Sequence, residues 1–527
     1  MKLLLLRTAL SIGMLFPLHG ADARKMNVLF IAVDDLRPEL SCYGNPVIKT
    51  PNFDRLAKRG MVFSKAYCQQ AVCSPSRASI MTGKRPDATR VWDLETHFRV
   101  ALPNVVTIGQ HFKNNGYFSQ GMGKIFHGGF DDPETWSVPW GTPKAEVYAQ
   151  TQNSSAKKDA GNKGPAFEAG DVADDFYTDG KTSRLAVQTL AELKKKEQPF
   201  FLAVGFSKPH LPFVSPKKYW ELYDPNTLPD TSSKYPEGSP VFASDNDSGE
   251  LRSYSNIPPR GKKGEFTALP DELAKQLRHG YYAAVSYTDA NLGLLLDALD
   301  KEGLADNTAI VLWGDHGWKL GDHQEWGKHT NFEADARVPL IISVPGMKGA
   351  GKKTESLVEF VDVYPTLADI CGLPKPDSDG VSLKQVLQDP VVTVKAVAIS
   401  QYAKTAGLVT GVKKAQGESG GKRDVMGYSI RDPRWRLTLW RGIKDNQIHA
   451  TELYDEVNAP TEPINLASLP ENRAVIERLS KFLPPPITPA DPNAVKIPKG
   501  KKVTIDVDAK NRDEDAAGKG ASGSKPS

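Results

Sequence analysis

Cysteine is scarce in this chain, which has 4 in 527 residues: Cys42, Cys68, Cys73 and Cys371. That number excludes a disulfide-built scaffold. A charge imbalance is also missing, because 67 Lys and Arg stand against 63 Asp and Glu for a net charge of +4. The strongly basic footprint of a nucleic-acid binder is therefore absent. No run beyond the first two dozen residues has the ~20 consecutive apolar residues of a membrane-spanning helix. No internal repeat is present, which argues against a solenoid or propeller. What remains is 39% hydrophobic and 25% charged residues. This is an ordinary globular balance, in a chain long enough for one large α/β domain and a smaller one.

The first residues read as an export signal. Lys2 and Arg7 bracket a leucine run, the apolar stretch continues to Phe16, and Ala21-Asp22-Ala23 makes a small-x-small cleavage site. The predicted layout is a signal peptide over 1–23, a catalytic α/β domain over 24–400, a C-terminal subdomain over 401–485 and an unstructured tail over 486–527. The signal places the mature protein outside the cytoplasm, in a periplasm or the extracellular space.

The chain is organised around Cys73-Ser74-Pro75-Ser76-Arg77, which continues Ala78-Ser79-Ile80-Met81-Thr82-Gly83. Pro75 suits a first helical turn and Gly83 a helix stop. Arg77 lies one turn after Cys73, so its guanidinium can return to the same spot. A helix start stabilises negative charge and lowers a thiol pKa, which predicts a reactive cysteine. The plainer alternative is a small buried one.

Four apolar runs predict buried strands, and three of them end in polar groups. Asn27 to Val33 ends in Asp34-Asp35. Pro199 to Phe206 opens into Lys208-Pro209-His210. Thr308 to Trp313 runs into Gly314-Asp315-His316-Gly317-Trp318, and Leu340 to Val344 stops at Pro345. Acids at the carboxyl ends of sheet strands are where α/β proteins place ligands, and adjacent carboxylates suit a hard divalent cation. Read singly, such acids are more often solvated loop residues. Helices are predicted from Pro51, with Thr50 as N-cap, over 103–115, over 273–299 and from about 361 to 371. This alternation argues for a doubly wound core. Gly121 to His127 reads as a Gly-flanked loop in which Lys124 and His127 can converge on one anion, although in isolation an ordinary polar loop is the better reading. Residues 131–180 and 214–266 read as irregular. Past 400, short strands at 427–431, 435–440 and 451–455 predict a small antiparallel sheet, followed by a helix over 471–483.

Cys-x-Pro-x-Arg with the following Thr-Gly resembles the signature of the type I sulfatases. Asp34-Asp35, Gly123-Lys124-Ile125-Phe126-His127, Lys208-Pro209-His210, Asp315-His316-Gly317-Trp318 and Met426 to Arg431 extend the resemblance over about residues 25–483. It implies an alkaline-phosphatase-like α/β fold, a large mixed sheet between helices with a smaller C-terminal antiparallel sheet subdomain. It implies oxidation of Cys73 to formylglycine by a formylglycine-generating enzyme. One divalent cation, Ca2+, would be held by Asp34, Asp35, Cys73, Asp315 and His316. The catalytic residues would be Cys73, Arg77, Lys124, His127, His210 and Lys328, with Trp318 and His329 at the sugar. The implied substrate is a sulfate monoester on a uronic acid or related sugar of a sulfated polysaccharide. The alternatives are a phosphoester or phosphonate hydrolase on the same scaffold, and a glycan-binding protein that has lost turnover.

Overall fold

The computed structural model describes residues 25–155, 163–245, 248–261, 267–408, 423–487, 497, 499–500 and 504–505. The predicted signal lies outside these residues. The first strand, β1 (Asn27–Asp34), is buried along its whole length. Its even residues Val28, Phe30 and Ala32 enter one core cluster, and its odd residues Leu29, Ile31 and Val33 enter another. Side chains alternate across a strand, so a continuous apolar run means both faces are covered.

The sheet built on β1 also contains β2 (Met61–Tyr67), β3 (Phe118–Gly123), β4 (Phe200–Pro209), β5 (Thr308–Gly314), β6 (Leu340–Ser343) and β7 (Lys353–Glu359). Their order is β7-β2-β6-β5-β1-β4-β3. One face packs against α1 (Pro51–Arg59), α4 (Thr178–Lys194) and α5 (Asp271–Lys301), through Phe53, Leu56, Leu190, Leu277, Leu292 and Leu296. The other face is covered by α2 (Cys73–Thr82), α3 (Ile108–Asn114) and α6 (Val363–Ile370), through Ile80, Met81, Phe112 and Leu367.

The large mixed sheet that the resemblance implies is present, because β6 pairs antiparallel with both β5 and β2; several expectations about single elements are corrected. The chain leaves the carboxyl end of β5 and returns at that same end without a crossover helix, so it has to run back. The stretch expected to be a loop at Gly121 is the end of edge strand β3. Gly123 has φ +70, and a Cβ there would lie 2.1 Å from the Gly205 carbonyl oxygen. Only glycine permits this approach of β3 to β4. Helix α3 starts at Ile108 rather than 103, where Thr107 and Gln110 form a capping box. Thr50 holds the N-cap position of α1 as expected but makes no side-chain cap bond, its hydroxyl contacting Ser41 Oγ at 2.6 Å. The Asp289 carboxylate instead accepts from the Asn52 and Phe53 N–H groups at 2.9 and 2.8 Å. Most of the expected unstructured tail lies outside the described residues, and within it Thr504–Ile505 pair in parallel with Thr142–Pro143.

The small sheet is a four-stranded meander of β8 (Ala398–Lys404), β9 (Val425–Arg431), β10 (Trp435–Gly442) and β11 (Ile448–Asp455). Helix α7 (Arg473–Ser480) covers it through Leu479. The sheet is locked to the main one by ions. Arg436 is fully buried, bonds Glu456 at 2.9 Å and pairs with Glu333. Glu333 also accepts from Arg431 Nε at 3.2 Å and from the Tyr67 hydroxyl at 3.0 Å.

Burial pushes the Glu333 carboxyl up, but Arg431 and Arg436 outweigh it and bring the group down to about 2 from its usual 4.5. A depressed carboxylate contributes stability that is complete above the unfolded pKa and is lost as pH falls through the folded one. Glu333→Gln should therefore cost about 3 kcal/mol at neutral pH, the scale for orphaning a buried arginine. In denaturant titrations the deficit should shrink as pH drops from 4.5 toward 2. A deficit independent of pH would contradict the pairing.

Candidate active site

The carboxyl ends of β1, β3, β4 and β5 converge with the start of α2. Cys73 is the first residue of α2, and Gly83 ends that helix at φ 69. Cys73 Sγ lies 3.5 Å from Asp34 Oδ1 and 3.3 Å from His316 Nε2. The ammonium groups of Lys124 and Lys328 approach it to 3.9 and 3.8 Å. Burial pushes the thiol well up, and the Asp34 charge adds to this. The expectation of a thiol activated by the helix start is thus corrected. The neighbouring carboxylate and the lack of water outweigh the helix end.

Arg77 holds the floor together. Its Nε donates to Asp315 at 2.9 Å, Nη2 to Asp34 at 3.1 Å, and Nη1 to the backbone carbonyls of Lys124 and Ile125. Asp34 also pairs with Lys124. Burial raises the Asp34 carboxyl, but Lys124, His210 and Arg77 prevail and hold it well below the usual range. Asp35 sits in the left-handed region at φ 57. This costs energy for a non-glycine residue and occurs where surroundings hold it. Here the Asp315 carboxylate accepts the Asp35 N–H at 3.0 Å, and the Tyr281 hydroxyl donates to the Asp35 carbonyl at 2.8 Å.

Asp34, Asp35, Cys73 and His316 are all buried, with one ligand atom of each within 4.8 Å of the others. His316 Nδ1 lies 3.0 Å from the Gly317 carbonyl, which can only accept, so Nε2 carries the lone pair turned to the cluster. Burial depresses its pKa and keeps it neutral. Asp35 Oδ2 is buried without a hydrogen-bond partner. This donor set fits a metal site. Asp315 stands beside it, with one oxygen accepting the Asp35 and His316 N–H groups and the other Arg77.

The opposite wall carries Lys328 and His210. Lys328 donates to Asp35 at 2.7 Å and lies 5.1 Å over the Trp318 ring. Trp318 is fully buried, so it supports Lys328 from behind rather than offering a face to a sugar. His210 Nδ1 meets the Leu211 carbonyl at 2.6 Å, and Nε2 meets Glu250 at 3.0 Å. His127 is pushed down to about 3 by burial and Lys124, so it is neutral there. His329 faces Asp245 at 2.9 Å and Tyr402 at 6.0 Å.

Of three supporting residues, Asp179 and Glu250 carried no signal in the sequence and Lys208 showed only as part of the Lys208-Pro209-His210 stretch. Asp179 accepts the Ser207 and Lys208 N–H groups at 2.9 and 2.7 Å. Lys208 Nζ donates to the His210 and Pro212 carbonyls at 2.6 and 2.7 Å, fixing the His210 turn. Glu250 lies in the stretch expected to be irregular, and no motif or periodicity marks it.

Two lysines and a histidine thus form a seat facing the candidate metal cluster, whose floor Arg77 pins. The sulfatase family profile matches residues 26–373. The chain is 35% identical over 502 residues to iduronate 2-sulfatase of Mus musculus, covering 84% of this chain and 90% of that one. The chain belongs to the sulfatase family, the sulfuric ester hydrolases. Its fold neighbours include BT4656 in complex with D-glucosamine-2-N,6-O-disulfate, with TM-score 0.66, 23% identity and coverage of 87% and 97%. They also include a phosphonate monoester hydrolase of Agrobacterium radiobacter, with TM-score 0.66, 24% identity and coverage of 86% and 94%. The main mixed sheet with its separate antiparallel sheet is the alkaline-phosphatase-like arrangement. No helix among the described residues is long and apolar enough to cross a membrane.

Chelator-treated protein should gain a few degrees of Tm when a divalent cation is returned, since a ligand bound only by the native state stabilises it. Asp34→Asn should abolish the gain. An equal gain in the variant would remove the cation from this cluster.

Proposed function

We propose that this chain is an exported sulfatase that hydrolyses sulfate monoesters on a uronic acid or related sugar of a sulfated polysaccharide. It would use formylglycine at position 73, made by a formylglycine-generating enzyme, and one Ca2+. The observation that carries the reading is the convergence of Lys124 and Lys328 on Cys73 and of His210 on Asp35 beside it, over a floor pinned by Arg77. The uronate part rests on the likeness to iduronate 2-sulfatase.

Asp34, Asp35, His316 and residue 73 would hold the cation, with Asp315 alongside. When bound, it would neutralise charge on the sulfate oxygens and favour a deprotonated nucleophile. A formylglycine hydrate supplies two hydroxyls, one to attack sulfur and one to release the product sulfate. The chain's own groups do the rest. Arg77 orients residue 73 and keeps Asp34 ionised. Burial opposes charge on Lys124 and Lys328, but Asp34 beside the first and Asp35 beside the second keep both protonated. They are thus fixed donors for the non-bridging oxygens. His210 or Lys328 delivers the proton to the leaving sugar oxygen. His127, which the resemblance puts close to the hydrate, is neutral.

A phosphonate or phosphoester hydrolase is the second reading, favoured by the Agrobacterium neighbour. The test is kcat/KM for matched aryl sulfate and aryl phosphate, followed by sulfated uronate oligosaccharides. A higher constant for sulfate is expected. A higher constant for phosphate would favour the second reading, and inactivity on every uronate sulfate would remove the sugar. Lys124→Ala should lower kcat by about 10²- to 10³-fold, the usual loss for one oxyanion donor. A change confined to KM would mean that Lys124 only binds the ground state.

A further inference from the structure

Three of the four carboxylates around the seat have a partner in its construction. Asp34 and Asp315 bracket Arg77, and Asp35 belongs to the candidate metal cluster. Glu250 has neither role. Its Oε1 lies 3.0 Å from His210 Nε2 and its Oε2 3.3 Å from Lys328 Nζ. These are two of the groups assigned above to the sulfate and its leaving oxygen. The placement is built into the fold. The Glu250 carbonyl accepts from Ser253 Oγ at 2.6 Å, and the next residues Leu251 and Tyr254 are buried in the core. Burial would raise the Glu250 carboxyl, but Lys328 and His210 hold it well below its usual range, so it stays charged.

An anion entering the seat must share His210 and Lys328 with this carboxylate. A fixed negative charge at that distance repels a dianion about twice as strongly as a monoanion in the same place. Selectivity is a difference of affinities, and a repulsive element against the wrong ligand is one way to produce it. We propose that Glu250 is a specificity-determining residue, which admits monoanionic esters to the seat and disfavours dianionic ones. This rests on the reading of His210 and Lys328 as anion contacts.

The test compares three aryl esters at about pH 8: a sulfate and a phosphonate monoester, both monoanions, and a phosphate monoester, a dianion above its second pKa of about 6. Each is used as substrate or, where turnover is too slow, as competitive inhibitor. Glu250→Gln should raise the phosphate constant at least tenfold relative to both monoanions, while the sulfate-to-phosphonate ratio changes less than threefold. Glu250→Asp, which keeps the charge, should keep the wild-type discrimination. If the Gln variant does not fold, Glu250→Ala supplies the same comparison. An unmoved phosphate-to-sulfate ratio would overturn the proposal. So would a joint rise of phosphate and phosphonate, which would mean selection by element, or an equal loss on all three, which would mean positioning. A wild-type preference for phosphate over sulfate would instead sink the sulfatase reading, and it is read independently of the variants.

Discussion

The Arg77 guanidinium is the group on which the site depends. It is fully buried and spends its donors on Asp34 at the end of β1, Asp315 at the end of β5, and the carbonyls of Lys124 and Ile125 after β3. Four separate segments thus take their relative positions from one planar fork. Its rigidity suits this task better than a lysine's single ammonium. A buried arginine is tolerated only while its partners remain charged, and removing one partner of such a pair typically costs about 3–5 kcal/mol. The same contacts fix Cys73, one turn earlier on α2, against the two carboxylates.

The surrounding architecture makes that burial possible. Both faces of β1 are covered, so Asp34 and Asp35 emerge from an apolar core directly into a polar pocket. Low local polarisability strengthens every charge interaction there. It also pushes the Cys73 thiol up, with Asp34 standing 3.5 Å away.

Much of this was legible in the chain itself. The run from Asn27 to Val33 is apolar at every position but the first, which identified a doubly covered strand, and its two terminal acids marked the sheet edge. Cys73, Pro75, Arg77 and Gly83 described the helix correctly because each acts through local geometry. What escaped was non-local. The polar residues Ser64 and Lys65 hid β2, and Lys353 and Glu355 hid β7, since strands near a sheet edge need only one apolar face. The reversed β6 depends on where the chain re-enters the sheet, which periodicity does not record. The Thr50 hydroxyl is taken by Ser41, and the carboxylate that caps α1 comes from Asp289, far along the chain. Glu250 belongs to a turn whose position is set by the core contacts of Leu251 and Tyr254. Trp318, placed by resemblance at the sugar, is buried beneath Lys328 because an aromatic face next to an ammonium is stabilising.

Formylglycine at position 73, and not a thiol, is the group proposed to carry the chemistry. The most direct measurement is mass spectrometry of the peptide containing Cys73, in preparations made with and without a formylglycine-generating enzyme, alongside specific activity toward an aryl sulfate. The account predicts that activity scales with the fraction of aldehyde at position 73 and vanishes where only cysteine is found. Full sulfatase activity in protein whose residue 73 is entirely unmodified cysteine would contradict it.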